Sequence, residues 1–348
     1  MAKKNEVKLN YRDTLRELKS NGPKRLYLLW GAEDYLAESF AQEIKKLCVS
    51  DGTDGFSYRR MSESDFGVKA LQEAIDSVPF LSERSLVEVR GLDLNKVRDR
   101  EGDELIKVLS DIPDYCTVVF IQQPAFEPDK RLKFFRSFLK IACELHFTAQ
   151  QGELLISWIV RRFSAAGKGI ELAAAQRLIA VSGDLMNGLI PEISKVAAYA
   201  KGEKVTVADV DAVAHHIPEA VVFEMTDRLS VGEYDAAMEL LSELLADKNN
   251  EPLMLLAMIG MQMRRLYAAR LAIDSELGKD YVMKTCGIKY DFIATKLIAS
   301  ARRFSSGALR RAVELCCLTD YNMKSSSADP MQLLKECVAR IAAGDCNA

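Results

Sequence analysis

The hydrophobic pattern of this sequence changes near residue 150, which divides the chain into two differently built parts. Before that point, short apolar runs alternate with segments in which apolar residues recur at helical spacing. Apolar runs of this length indicate buried strands, and the helical spacing indicates amphipathic helices. The predicted strands are a run that ends at Trp30 and the segments 56–60, 85–90, 116–121 and 143–147.

Helices are predicted to connect these strands. One helix follows Gly31, and the others cover residues 65–78, 103–112 and 129–140. The helix over 65–78 carries its apolar residues on one face and is ended by Pro79, which cannot continue a helix. Strands that alternate with helices predict a layered α/β domain around a mostly parallel sheet.

After residue 150 the pattern predicts helices alone, and no strand is expected there. Thr206, with Asp209 three residues later, has the spacing of a cap at a helix start, and Pro218 marks a boundary between two helical blocks. The predicted domains are therefore an α/β domain (1–148), a small helical domain (149–216) and a larger helical domain (217–348). The predicted helices are 152–165, 172–181, 186–199, 207–215, 223–229, 233–245, 252–273, 280–286, 291–301, 306–323 and 330–342.

Composition places the chain among ordinary globular proteins. It has 348 residues, 49% of them hydrophobic and 28% charged, and its net charge of -3 gives no global attraction to nucleic acid or membranes. The eight cysteines follow no spacing typical of disulfides or zinc ligands, the first residues lack the apolar core of a signal peptide, and the apolar stretch 252–263 is too short to span a bilayer. A soluble cytoplasmic protein is expected.

The segment 25–36 has the strand–turn–helix pattern in which nucleotide-binding proteins place a phosphate-binding loop. Such a loop requires several glycines, a lysine for the phosphate oxygens and a Ser or Thr for the metal ion. Here Gly31 is followed by Ala32, Glu33 and Asp34, and two carboxylates would repel a triphosphate. The sequence therefore predicts a degenerate phosphate-loop position at Gly31–Asp34.

Other catalytic or metal-binding constellations are not predicted. His146 lies on an expected strand, and His215 and His216 are neighbours that face different directions, so they do not form a chelating pair. Cys316 and Cys317 are adjacent in an expected helix, where buried structural cysteines are common. We predict no catalytic residue, no metal site and no cofactor.

Residues 129–140 interleave basic and aromatic side chains. Nucleic acid binding uses such a mixture, and an amphipathic helix that packs its aromatic side chains in a core produces it as well. The second interpretation is favoured, because Leu132, Phe135 and Leu139 fall on one stripe.

The segment 77–84 places large apolar residues, Phe80 and Leu81, after the helix-ending Pro79 and before a strand. Such a loop either packs on its own domain or protrudes and anchors in a pocket of a partner. The physical chemistry of the sequence leaves these two alternatives open.

Four groups of residues, in this order and spacing, resemble the delta subunit of the bacterial DNA polymerase III clamp loader over nearly the whole chain. They are residues 27–36; residues 79–90; residues 192–202 with 205–210; and residues 301–305 with Leu309 and 320–324. The resemblance implies a degenerate AAA+ domain, a small helical lid and a C-terminal helical collar. A family member is expected to bind and help open the sliding clamp without hydrolysing ATP, as part of the DNA polymerase holoenzyme.

The resemblance also assigns roles to particular positions. The clamp-binding tip corresponds to Val78, Phe80 and Leu81, with Pro79 stiffening it, and the collar is expected to assemble with the other loader subunits around primed DNA. One departure is Pro191, where the family has an unbroken helix, so a local helix start or kink is expected there. Two alternatives stay open: a divergent ATP-binding ATPase, and a nucleic-acid-binding adaptor that uses residues 129–140.

Overall fold

The structure is a computed structural model that describes residues 11–50, 52, 54–79 and 82–344. It divides into two compact units. The first contains residues 1–149 together with 185–187, and the second contains residues 150–184 and 188–348. The three-domain division of the sequence stays a prediction.

A five-stranded, entirely parallel sheet forms the centre of the first unit, in the order β2-β3-β4-β1-β5. The middle strand of the sheet, β4, is buried at every position, as expected for a strand covered on both faces. The parallel α/β prediction is confirmed. The strands are β1 (Leu26–Trp30), β2 (Tyr58–Ser62), β3 (Ser85–Arg90), β4 (Cys116–Ile121) and β5 (Cys143–His146).

Six helices of the described part of this unit cover the sheet, and their aromatic and aliphatic side chains form its core. Phe120 of β4 packs edge to face against Phe138, and both are fully buried. The helices are α1 (Tyr11–Asn21), α2 (Asp34–Cys48), α3 (Asp54–Ser57), α4 (Val68–Asp76), α5 (Asp99–Ser110) and α6 (Lys133–Ile141).

Two features of the first unit differ from the prediction. The second strand starts at Tyr58 and not at Phe56, because the preceding residues form the short helix α3. Helix α1 was not predicted; it buries only Thr14 and Leu18 among its eleven residues, so its apolar pattern is short.

The second unit is built mainly from helices, and one long helix lies at the centre of those that follow residue 217, with buried residues from Leu255 to Ala272. That helix, α13, contributes Leu255, Ile259, Met263 and Leu266 to the core. The helices are α7 (Glu153–Ala165), α8 (Leu172–Ser182), α9 (Met186–Tyr199, whose first two residues belong to the first unit), α10 (Val207–Val213), α11 (Pro218–Ser230), α12 (Tyr234–Ala246), α13 (Pro252–Asp274), α14 (Lys279–Cys286), α15 (Asp291–Ala301), α16 (Ser306–Ser325) and α17 (Pro330–Ala342).

The expectation that no strand follows residue 150 is wrong. A short parallel pair, β6 (Gly169–Ile170) and β7 (Lys204–Val205), joins the connections before α8 and α10. Two-residue strands carry no periodicity, so the hydrophobic pattern could not reveal them. None of the helices in the described part of the chain combines the length and apolar composition that a membrane span requires.

Two local predictions about the second half have clear outcomes. Thr206 and Asp209 form the predicted capping box, with the Asp209 carboxylate accepting the Thr206 backbone N–H at 2.9 Å. Pro191 does not start a helix: α9 begins five residues earlier and continues to Tyr199.

Candidate functional site

The two groups of predicted site residues lie at opposite ends of the strands of the parallel sheet. Gly31–Asp34 follow the carboxyl end of β1, whereas Val78 and Pro79 precede the amino end of β3. Because all strands run in the same direction, the carboxyl ends of the strands lie on one side of the sheet and the amino ends lie on the other. The phosphate-loop position and the apolar tip are therefore separate sites.

Gly31 is required because the backbone at Phe147 comes very close to it. Its φ is +126°, and a Cβ placed there would lie 2.3 Å from the carbonyl oxygen of Phe147. The backbone N–H of Glu33 donates to that same Phe147 oxygen at 3.0 Å. In a phosphate-binding loop such amides converge on the anion. Here the amide is used to hold the end of β5 against the turn.

The Glu33 side chain is completely buried and does not cap its own helix. Although Glu33 stands directly before α2, its carboxylate makes no hydrogen bond to that helix. Its two oxygens instead accept the backbone N–H of Met186 at 3.3 and 3.4 Å. The first N–H groups of a helix and the helix dipole favour an anion. The carboxylate of Glu33 thus occupies an anion-binding position at the start of α9.

A second carboxylate extends the same contact. The Asp34 side chain accepts a hydrogen bond from the Asn187 amide at 3.2 Å. Burial, and after it the Glu38 carboxylate, raise the pKa of Asp34. Ala32 is the exposed member of the four predicted residues. The predicted position Gly31–Asp34 is thus occupied by interactions within the first unit.

At the ends of the neighbouring strands, the carboxylates are paired with Arg90, and an amide follows β4. Strand β3 ends in Arg90, which donates to Glu38 of α2 and to the buried Glu88, and Tyr58 donates to the same Glu88 carboxylate at 3.0 Å. Strand β4 is followed by Gln122, whose side-chain nitrogen is buried without a hydrogen-bond acceptor. No group of three or more metal-ligating side chains occurs in the part of the chain that the structure describes.

The apolar tip stands on a well-packed base. Helix α4 buries Leu71, Ala74 and Ile75 and ends at Asp76. Val78 follows with 70% of its surface exposed, and Pro79 is half-buried. Phe80 and Leu81, the other two residues predicted for this site, lie outside the described residues.

Hydrogen bonds fix both ends of this connection. The Tyr115 hydroxyl donates to the carbonyl oxygen of Asp76 at 3.3 Å. On the other side, the Ser82 hydroxyl donates to the Arg84 carbonyl oxygen at 2.8 Å and lies 2.5 Å from the Ser57 hydroxyl. The segment between them therefore starts and ends at positions held by the body of the unit.

The basic and aromatic segment contains a packed amphipathic helix, as favoured from sequence, but the helix covers Lys133–Ile141 and not 129–140, and of the predicted stripe Leu132 and Leu139 are only partly buried. The helix starts at Lys133, and Phe134, Phe135 and Phe138 are buried. The basic side chains at its start pair with carboxylates: Lys130 with Glu144, Arg131 with Asp129 and Lys133 with Asp103. The aromatic rings are therefore not accessible to stack on bases.

The histidines do not form a site either. His146 stacks on Trp30 with ring centroids 3.7 Å apart, and the Glu192 carboxylate accepts the backbone N–H of His215. Burial lowers the pKa of His216. Sequence reasoning missed Met186 and Asn187 as partners of the acidic residues. No local signal could have revealed this contact, because it joins residues 153 positions apart.

These features define a class of protein: a module with a five-stranded parallel sheet, in which two carboxylates after the glycine turn of β1 bind the start of α9, followed by helices. Two family descriptions match this chain. The DNA polymerase III delta subunit matches residues 27–148, and the C-terminal domain of that subunit matches residues 219–341. The chain belongs to the family of DNA polymerase III delta subunits.

Individual relatives agree with this membership. The DNA polymerase III subunit delta of Bacillus subtilis (strain 168) is 24% identical over 332 residues, which cover 93% of this chain and 94% of that protein. A probable DNA polymerase III subunit delta of Aquifex aeolicus (strain VF5) is 25% identical over 331 residues, with 90% of each chain covered. The solved Bacillus subtilis DNA clamp loader delta protein is similar in fold, with a TM-score of 0.54 at 21% identity, over 96% of this chain and 100% of that one.

Proposed function

We propose that this chain binds the sliding clamp through the tip at Val78–Leu81 and helps to open it for loading onto primed DNA, without hydrolysing ATP. The observation that carries the proposal is Val78, an apolar side chain that is 70% exposed two residues after the end of a helix that buries Leu71, Ala74 and Ile75. One or two apolar anchors that enter a pocket supply most of the energy of many interfaces.

The base of the tip favours a mechanical role. Leu71 and Ile75 fix α4 in the core, and the hydrogen bonds at Asp76 and Ser82 hold both ends of the connection. Flanking residues that are already held in place add little to the entropic cost of binding. Ring opening then requires only that the tip binds the open clamp more tightly than the closed clamp, since a ligand shifts an equilibrium by its differential affinity.

The phosphate-loop position supports the ATP-free part of the proposal. Glu33 places a buried carboxylate where a phosphate would need backbone donors, and the Glu33 amide is bonded to Phe147. The remaining partners follow from the family: the helical region 217–348 assembles with the other loader subunits, and the complex acts on DNA at the cytoplasmic replisome.

Binding to the purified clamp tests the proposal. The variant Phe80→Ala/Leu81→Ala is expected to lose binding, because interface anchors cost about 2 kcal/mol or more on truncation. Val78→Ala is expected to weaken binding less. Ile141→Ala is the matched control, since it removes an exposed aliphatic side chain (38%) from α6 of the same unit. Calorimetric titration in which the double variant binds as tightly as the unaltered chain would contradict the proposal.

A further inference from the structure

We propose that the clamp-binding surface extends beyond the tip to Phe56, which contributes a second apolar contact to the same clamp. This inference rests on the proposed function. It concerns a residue outside the predicted tip: Phe56 lies in the short helix α3, before the edge strand β2. Helix α3 precedes the amino end of β2, and Val78 precedes the amino end of β3. Because these two strands are parallel neighbours, both positions lie on the same side of the sheet, where the strands begin.

Phe56 is large, apolar and exposed. Its side chain exposes 67% of its surface, nearly as much as Val78. The neighbouring Ser57 is buried, so the α3 backbone is held by the domain while most of the Phe56 surface stays exposed. Single exposed apolar side chains are common on protein surfaces and need no functional explanation. The location of this one provides the argument.

The structure joins Phe56 to both ends of the tip connection. Phe56 and Ser77, the residue before Val78, line one cavity of about 250 Å³. At the other end, the hydroxyl groups of Ser57 and Ser82 lie 2.5 Å apart. Phe56 is thus continuous with the tip surface.

The exposed apolar side chains of this unit are concentrated around the tip. Leu47, 44% exposed, lines a second cavity together with Ser82, Glu83 and Arg84. In the described part of the first unit, five large apolar residues are exposed, and three of them surround this connection. The five are Leu47, Phe56, Val78, Ile141 and Leu185. Clustered apolar exposure with charged residues at its margin is typical of a surface that binds protein.

A protein partner fits this surface better than a nucleic acid. Nucleic acid binding requires a basic stripe for the phosphates. The charged residues at the margin have both signs, with Glu73 and Glu83 beside Arg59 and Arg84. The clamp is the partner that the tip already engages, so contact with Phe56 requires no second binding event.

The experiment compares the affinities of full-length variants for the purified clamp. Phe56→Ala is expected to raise the dissociation constant about tenfold, which is the effect of truncating an aromatic interface residue at a cost of about 1.4 kcal/mol. Tyr199→Ala is the matched control: it removes an aromatic ring of similar exposure (51%) from α9 and is expected to leave the affinity unchanged. Phe56→Leu keeps an apolar side chain and is expected to retain most of the affinity.

The outcomes separate the two proposals. If Phe80→Ala/Leu81→Ala abolishes binding while Phe56→Ala stays within about twofold of the unaltered chain, the extension to Phe56 is wrong and the tip proposal stands. If the unaltered chain does not bind the clamp, both are wrong. Thermal unfolding of Phe56→Ala and Phe56→Leu distinguishes lost contact from lost fold: an unchanged midpoint with weaker binding of Phe56→Ala supports the contact, and a lowered midpoint of Phe56→Ala that accompanies its weaker binding opposes it.

Discussion

At the scale of single residues, Gly31 is a glycine at a phosphate-loop position whose role here is to accommodate a neighbouring backbone segment. In a phosphate-binding loop, glycine lets the backbone approach a phosphate. In this chain it lets the backbone approach the end of β5, because the carbonyl oxygen of Phe147 occupies the space of a side chain. The glycine alone therefore does not predict nucleotide binding.

Replacing Gly31 by alanine is expected to destabilise the protein by about 3 kcal/mol, the sum of left-handed backbone strain and a forced contact. Gly22→Ala is a matched control, since Gly22 also has a positive φ (+74°) but no atom within 4 Å of its added Cβ. The control is expected to lose about 1 kcal/mol. Urea unfolding of the two variants measures the difference, and equal losses would mean that Phe147 yields without cost.

Glu33 is expected to hold the start of α9 through its carboxylate. Glu33→Ala leaves the Met186 N–H without its buried acceptor, which costs about 1–3 kcal/mol. Hydrogen exchange at the Met186 amide is the direct measurement, and faster exchange is expected in the variant.

Glu33→Gln provides the matched control for this contact. Glutamine keeps the length of the side chain and one carbonyl acceptor, so it is expected to preserve part of the protection that alanine removes. Unchanged protection of Met186 in Glu33→Ala would show that another group satisfies this amide.

At the scale of elements, the capping box of α10 is a local device with a definite pH dependence. Thr206→Ala removes the hydroxyl that accepts the Asp209 backbone N–H, which is expected to cost about 1 kcal/mol. Thr206→Ser keeps the hydroxyl and is expected to retain most of the stability. Chemical unfolding at neutral pH compares the two variants.

The pH dependence follows from Asp209. The backbone N–H and then the hydroxyl of Thr206 lower the pKa of this carboxyl below its usual 3.8. A carboxyl whose pKa is lower in the folded state stabilises the fold above its unfolded pKa, and this contribution is lost as the pH falls through the folded pKa. The difference in stability between the unaltered chain and Asp209→Asn is therefore expected at pH 7 and should shrink below about pH 4. A constant difference down to pH 2 would contradict this origin.

The elements that sequence predicted well are those with a strong internal pattern. Strands β3 and β4 have the predicted bounds, since β4 is a near-continuous apolar run and β3 is rich in β-branched and aliphatic residues between Pro79 and Gly91. Helices α9, α15 and α17 also match. Helix α1 was missed because it buries only two residues, which leaves little apolar periodicity. The pair β6–β7 was missed because each strand is only two residues long.

The candidate sites depended on different kinds of information. The lack of a phosphate cradle at Gly31–Asp34 stays a prediction, and it follows from residue types alone. The hydrogen bond from Met186 to Glu33 was not visible, because a contact between distant positions depends on tertiary packing. Phe56 was misassigned to a strand, since an aromatic residue favours strands while its local turn favoured helix α3.

At the scale of the whole molecule, the occupied phosphate-loop position gives a prediction about the complete chain. A ligand that binds the folded state raises its stability by about 2.7 kcal/mol at a concentration 100 times its dissociation constant. Millimolar MgATP is therefore expected to leave the thermal midpoint unchanged, because Glu33 and Asp34 place carboxylates where phosphates would bind. The purified clamp is expected to raise the midpoint of the same preparation, which controls for a competent fold. A magnesium-dependent increase with ATP, confirmed by equilibrium binding of labelled nucleotide, would instead favour the divergent ATPase.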